Sequence, residues 1–175
     1  MKDLRLHPLR PGDEEAAVRW SRDAAFCQAN DWAPNLPAER VRRHWCGLIE
    51  SPPPKFVRLG IERGGWLIGY GDWAGITPQT AELGIAIGES ELWGQGIGQE
   101  AGRLLIAYAF EILDLPRVTA EVHAPNTRSR RLMRALGFRE VGVVGEEDYG
   151  GQLTPLIGFT LSREEWGMPA SILPA

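Results

Sequence analysis

Trp93-Gly94-Gln95-Gly96-Ile97-Gly98-Gln99-Glu100-Ala101 opens a segment in which Ile97, Ala101, Leu104, Leu105, Tyr108 and Ile112 fall on one helical face. Three glycines in five residues therefore stand at the entrance of an amphipathic helix. Glycine lets the chain turn sharply and come close to a ligand. The unpaired amides and the positive dipole end of the helix then attract phosphate. A ligand-free loop leading into a helix is the plainer alternative. Gly96-x-Gly98-x-x-Ala101 also satisfies the dinucleotide fingerprint literally, with Glu121 lying 25 residues beyond Gly96. That fingerprint needs its first glycine at the end of a strand in a βαβ series, whereas eight residues separate Ile87 from Gly96 here. No Gly-Lys-Ser/Thr occurs, which removes the nucleoside-triphosphate loop.

Upstream, Phe56 to Glu62, Trp66 to Trp73 and Ala81 to Ile87 read as three strands of an antiparallel meander, joined by Arg63-Gly64-Gly65 and by Thr77-Pro78-Gln79-Thr80. Before them come a short strand at Leu4 to Pro8, a helix beginning near Asp13, and a second helical stretch over Ala38 to Glu50. The turn residues Asn30 to Pro37 interrupt the helical region. Downstream, Arg117 to His123 alternates as a strand, Thr127 to Leu136 reads as a helix with Gly137 after it, and Phe138 to Val144 as another strand. An acidic loop over 146–151 precedes a last strand, Thr154 to Leu161. The order predicts an α+β fold with a mixed, largely antiparallel sheet of about seven strands and four flanking helices. The expected domain is 1–166, with a loose proline-rich tail over 167–175.

Composition narrows the function. Nineteen basic residues against 23 acidic ones give a net charge of −4, which offers no overall attraction to nucleic acid or anionic membrane. The most apolar stretch, Gly64 to Ile76, is broken by Asp72 and falls short of a membrane span. Cys27 and Cys46 lack metal-ligand spacing, the His44-Trp45-Cys46 cluster is too small to hold a metal, and nothing at the N-terminus reads as a signal peptide. The expectation is a cytoplasmic protein with no metal.

Three stretches together resemble the GNAT superfamily of N-acetyltransferases: Ala81 to Ile87, Trp93 to Ala101, and Asn126-Thr127-Arg128-Ser129 running to Leu136-Gly137-Phe138. The tail of the pattern resembles the RimJ/RimL-type branch. The resemblance implies acetyl-CoA as acyl donor and backbone contacts from Gln95, Gly96, Ile97, Gly98 and Gln99 to its pyrophosphate. It also implies main-chain contacts from Ala86 and Ile87 to the pantetheine arm. Trp93 stands where many members carry Arg or Gln, so one side-chain contact is lost there.

Acyl transfer to an amine needs a neutral nucleophile, donors for the oxyanion and a route for the thiolate. Glu82 alternates with Leu83, Ile85 and Ile87 and so points to the opposite face, beside Gly84 and Ala86, where a carboxylate could take the amine proton through water. It reads equally as a solvated strand-edge glutamate. Ser129 matches the branch's thiolate-contacting position, with Met133 where other members use a tyrosine one turn on. An ordinary first-turn serine is the alternative. Asn126 suits a helix cap, a pantetheine contact or both. Of Arg128, Arg130, Arg131 and Arg134, most read as a solvated face, and Arg131 is the one expected to reach a CoA phosphate. His123 reads as structural. The preferred acceptor is a protein or peptide N-terminal amine, by branch resemblance. The alternatives are a small amine such as a polyamine or aminoglycoside, or a CoA-binding module without catalysis. A homodimer stays open.

Overall fold

Seven strands form one sheet in the order β1-β2-β3-β4-β5-β7-β6 in a computed structural model that describes residues 4–167. The strands are β1 (Leu4–Pro8), β2 (Val57–Arg63), β3 (Trp66–Ala74), β4 (Glu82–Ile87), β5 (Arg117–His123), β6 (Arg139–Tyr149) and β7 (Gln152–Ser162). Between them run α1 (Glu14–Trp20), α2 (Ala24–Ala29), α3 (Ala38–Glu50), α4 (Ile97–Glu111), α5 (Thr127–Ala135) and α6 (Arg163–Gly167). Every pairing is antiparallel except that of β4 with β5, which is parallel and consists of the single rung Glu82 with Thr119.

Alternation along β3 and β4 divides the core. Trp73 and Leu83 share a cluster with Leu105, Ile106 and Ala109 of α4 and Val118 of β5. Tyr70 and Ala86 share another with Trp20, Phe26 and Trp45 from the α1–α3 layer. Trp20 meets Trp45 edge to face at 5.7 Å and stacks on Tyr70 at 6.0 Å.

Two expectations change. Among the described residues there are six α-helices where four were expected, because the Asp23 carboxylate caps a separate one-and-a-half-turn helix, accepting from the amides of Ala25 and Phe26 at 2.9 and 3.2 Å, and because Arg163–Gly167 adds a final turn. The acidic stretch 146–149 is strand, not loop: Glu146 pairs with Pro155 and Glu147 with Thr154. A two-residue Gly150-Gly151 turn with φ of 65° and 83° joins β6 to β7, and both angles suit the type I′ hairpin. Acidic residues are poor strand formers, but their cross-strand partners decide here. Of the expected tail, Gly167 ends α6 and residues 168–175 lie outside the described residues.

Gly88 follows β4 and lies against Trp20, where an added Cβ would come within 2.1–2.3 Å of the indole ring. Gly88→Ala should therefore destabilise the protein by about 1–3 kcal/mol through overpacking, lowering Tm by roughly 2–12 °C in a thermal melt.

Candidate active site

The single rung between β4 and β5 leaves most of one edge of β4 open. Thr119 N donates to Ala81 O at 3.0 Å on the β5 side, and Gly88 N donates to Ile68 O at 2.8 Å on the β3 side. Strand alternation then directs the main-chain groups of Leu83, Ile85 and Ile87 toward β5, and those of Gly84 and Ala86 toward β3. Past Leu83, β5 has diverged, so the groups of Ile85 and Ile87 face a gap. Ala86, expected to offer its main chain, instead pairs with Tyr70 and lines the cleft as wall, and it is Ile85 whose main chain turns to the gap.

A cleft of about 280 Å³ fills this gap and continues over the glycine loop. Ile85, Ala86 and Ile87 form one side, and Gly94, Gly96, Gly98 and Gln99 its end. Gly94 and Gly96 adopt φ of 76° and 81°, which side chains with a Cβ rarely adopt. The first hydrogen bonds of α4 come from Gln99 and Glu100, both to Gly96 O at 3.1 Å. The amides of Gln95, Gly96, Ile97 and Gly98 therefore have no acceptor among the described residues, and they stand at the positive end of a 15-residue helix, an arrangement that suits an anion. The Ile97 side chain is buried, so only its amide is available, and the Gln95 side chain donates to Glu91 O at 2.9 Å.

Helix α5 supplies the opposite wall through Arg128, Ser129, Arg131 and Leu132. Its N-cap is Asn126, whose Oδ1 accepts from Ser129 N at 3.1 Å. The four arginines divide by partner. Arg130 and Arg134 hydrogen bond Glu140, whereas Arg128 and Arg131 border the cleft. Arg128 stacks over the Trp93 ring at 3.8 Å, and burial holds its pKa below the usual value. The Trp93 indole donates to Ile87 O at 2.8 Å, capping one of the carbonyls that face the gap. An aromatic residue and an arginine far apart in the chain give no signal in the sequence that they meet, so the pairing of Trp93 with Arg128 is visible only in the fold.

Glu82 does not line this cleft. It stands about 10 Å along the strand from Ile85, at the rung with Thr119, and shares the sheet face of Gly84 and Ala86. Its carboxylate is exposed, yet packing around it, and then repulsion from Glu121 and Glu147, push its pKa above the ordinary 4.5. His123 stacks on Tyr149 at 4.5 Å and bonds Thr154 Oγ1 at 3.1 Å. On the same face, a second cavity of about 330 Å³ lies between α3 and β3, walled by Trp32, Trp45 and Tyr70. Among the described residues no group of three or more His, Cys, Asp or Glu could hold a metal ion, and no helix is long and apolar enough to cross a membrane.

Residues 3–139 match the family described as acetyltransferase (GNAT) domain. The uncharacterized N-acetyltransferase p20 of Bacillus licheniformis is 36% identical over 87 residues, covering 49% of this chain and 48% of the relative. A Bacillus subtilis protein provisionally named the ribosomal N-acetyltransferase YdaF is 38% identical over 89 residues, 50% of this chain and 48% of the relative. The chain thus spans about half the length of the curated relatives it matches. Its fold is similar to that of spermidine N-acetyltransferase from Vibrio cholerae in complex with CoA and spermine, with a TM-score of 0.79 at 21% identity over 93% of this chain and 97% of that one. A GNAT-family acetyltransferase from Bacillus anthracis superposes with a TM-score of 0.77 at 19% identity, covering 93% and 96%.

Between the second cavity and Glu82, Arg58 binds Asp72 through two hydrogen bonds of 2.7 and 2.6 Å, with side chains only 13% and 17% exposed. Asp72→Ala leaves the Arg58 charge without its partner and should cost about 3–5 kcal/mol, measured as a fall in the urea midpoint.

Proposed function

This chain belongs to the GNAT acetyltransferase family, and from that premise we propose that it transfers the acetyl group of acetyl-CoA to a primary amine, preferentially the N-terminal amine of a protein or peptide. The observation that carries this reading is the convergence on one cleft of an open strand edge and a helix start with unpaired amides. The strand edge suits an amide-bearing arm, and the helix start suits a diphosphate.

In this reading the amides of Gln95, Gly96, Ile97 and Gly98 hold the pyrophosphate of CoA, helped by Gln99 and by the guanidinium of Arg131. Ile85 and Ile87 pair with the pantetheine arm, while Ala86 and Leu132 enclose it. Asn126 keeps Oδ1 on the helix and has its Nδ2 free to donate to the same arm. The amine nitrogen attacks the thioester carbon, the C–S bond breaks, and the CoA thiolate leaves against the Ser129 hydroxyl. A thiol of pKa about 8.5 leaves largely as thiolate, so a hydrogen bond from serine suffices. The amine proton passes through water to Glu82, whose distance from Ile85 rules out direct contact with an amine at the thioester.

A remote base suits an acceptor that needs little help. An α-amino group of pKa about 8 is roughly one-tenth neutral at pH 7, whereas a lysine of pKa about 10.4 is neutral about once in a few thousand molecules. The provisional name of YdaF, a ribosomal N-acetyltransferase, favours a protein acceptor. The cytoplasm suits such a substrate, and Cys27 and Cys46 are both free thiols.

Gly96→Val places a β-branched residue at φ 81° and should weaken CoA binding at least tenfold by calorimetry. Unchanged affinity would move the phosphates elsewhere. Glu82 works as base only when ionised, and its pKa is raised, so kcat/KM should rise with pH through an inflection above the ordinary 4.5. Glu82→Gln should lower turnover, most for high-pKa amines, and remove that limb of the profile. Superimposable profiles would take Glu82 out of the mechanism.

A further inference from the structure

The second cavity shares its inner wall with the cleft. Ala29 and Asn30 border the cleft and Asp31 and Trp32 the cavity, so one turn of chain separates them. The Tyr70 with Ala86 rung likewise presents Tyr70 to the cavity and Ala86 to the cleft. Two rungs further along the same sheet face stands Glu82, with Asp72 and Gly84 between. The cavity, the inner wall of the cleft and the base therefore follow one another along a single face of β3 and β4.

Its chemistry is specific. Burial pushes the Tyr70 phenol up, so this wall stays neutral. The Arg58 guanidinium lies over the Tyr70 ring at 4.2 Å and over Trp45 at 5.1 Å, with its charge answered by Asp72. Leu36 adds apolar surface. His44 is held below its ordinary pKa by burial and then by Arg58, so it is neutral at pH 7. Arg40 and Asp31, of opposite charge, both line the cavity. A planar or apolar uncharged group is desolvated here against Trp32, Leu36 and the Arg58 guanidinium, while a second ammonium finds no unengaged carboxylate, since Asp72 is bonded to Arg58 and Asp31 shares the lining with Arg40. The Glu82, Glu121 and Glu147 group at the far end provides the negative field that an amine itself needs.

We propose that this cavity is the acceptor's side-chain pocket and that it selects an N-terminal residue with an uncharged aromatic or large apolar side chain over polyamines. The inference rests on the acetyltransferase reading and deepens it. Trp32, Arg58 and Tyr70 form the pocket's selective wall, while the charged Arg40 and the neutral His44, both exposed on α3, leave its outer side without a carboxylate other than Asp31.

The test measures kcat/KM for phenylalanine-, glycine- and lysine-initiated tetrapeptide amides and for spermidine, with wild type and two variants. Wild type should favour the phenylalanine peptide at least tenfold over the glycine peptide, with spermidine the poorest. Ala33→Trp, at an exposed loop position on the cavity, should fill the pocket and erase the phenylalanine advantage while leaving KM for acetyl-CoA unchanged. The double variant Arg40→Glu with His44→Glu should raise activity on spermidine at least tenfold. Equal rates for the phenylalanine and glycine peptides, with Ala33→Trp silent, would overturn the pocket assignment and leave the N-terminal acceptor standing. Spermidine as the best substrate of wild type would overturn both, and binding of CoA without thiol release from any amine would overturn the acetyltransferase reading as well.

Discussion

The site depends on how briefly β4 and β5 touch. Sheets keep their strand edges paired, because an unmet row of amides and carbonyls is costly when buried and adhesive when exposed. Here the parallel pairing is a single rung, Glu82 with Thr119, and beyond it the two strands separate inside the sheet. The hydrogen-bonding capacity of Ile85 and Ile87 is thereby kept for something other than protein, apart from the one carbonyl that Trp93 caps. Neither half of the sheet is weakened by the opening. β4 remains zipped to β3 over six rungs, and β5 is held by β7 over seven.

What surrounds the opening follows from it. Helix α4 packs Leu105 and Ile106 into the core beneath the gap, so its N-terminus and the glycines before it arrive where the open edge ends. Helix α5 closes the other side, anchored by Met133 and Leu136, and turns Arg128 and Arg131 inward while Glu140 holds Arg130 and Arg134 away. A protein with a net charge of −4 in this way gathers positive potential at one place, while Glu82, Glu121 and Glu147 concentrate negative potential at the other end of β4. A donor rich in phosphate and an acceptor carrying an amine would be drawn to opposite ends of the same strand.

Much of this was legible in the residues. Alternation over Trp66 to Trp73 and Ala81 to Ile87, the helical stripe from Ile97, and Gly137 after Leu136 fixed the order of elements, because each periodicity matches a face that is buried. The glycine loop was legible because φ near +80° restricts residue type. The register of β4 was not. Which of Ala86 and Ile87 turns its main chain to the gap depends on pairing with β3, a long-range fact that a period of two leaves open by one residue. The acidic hairpin strand was missed because cross-strand pairing overrode propensity at Glu146 and Glu147, although Gly150-Gly151 carried the turn signal. The stack of Arg128 on Trp93 and the cavity over Tyr70 arise only when distant segments meet.

The most direct test of the open strand edge is residue-resolved amide hydrogen exchange, followed by NMR with and without acetyl-CoA. The amides of Ile85, Ile87, Gly96 and Ile97 should become strongly protected on binding, while those of Gly84 and Ala86, already bonded to β3, should change little. Protection that leaves Ile85, Ile87 and the glycine loop untouched would contradict it.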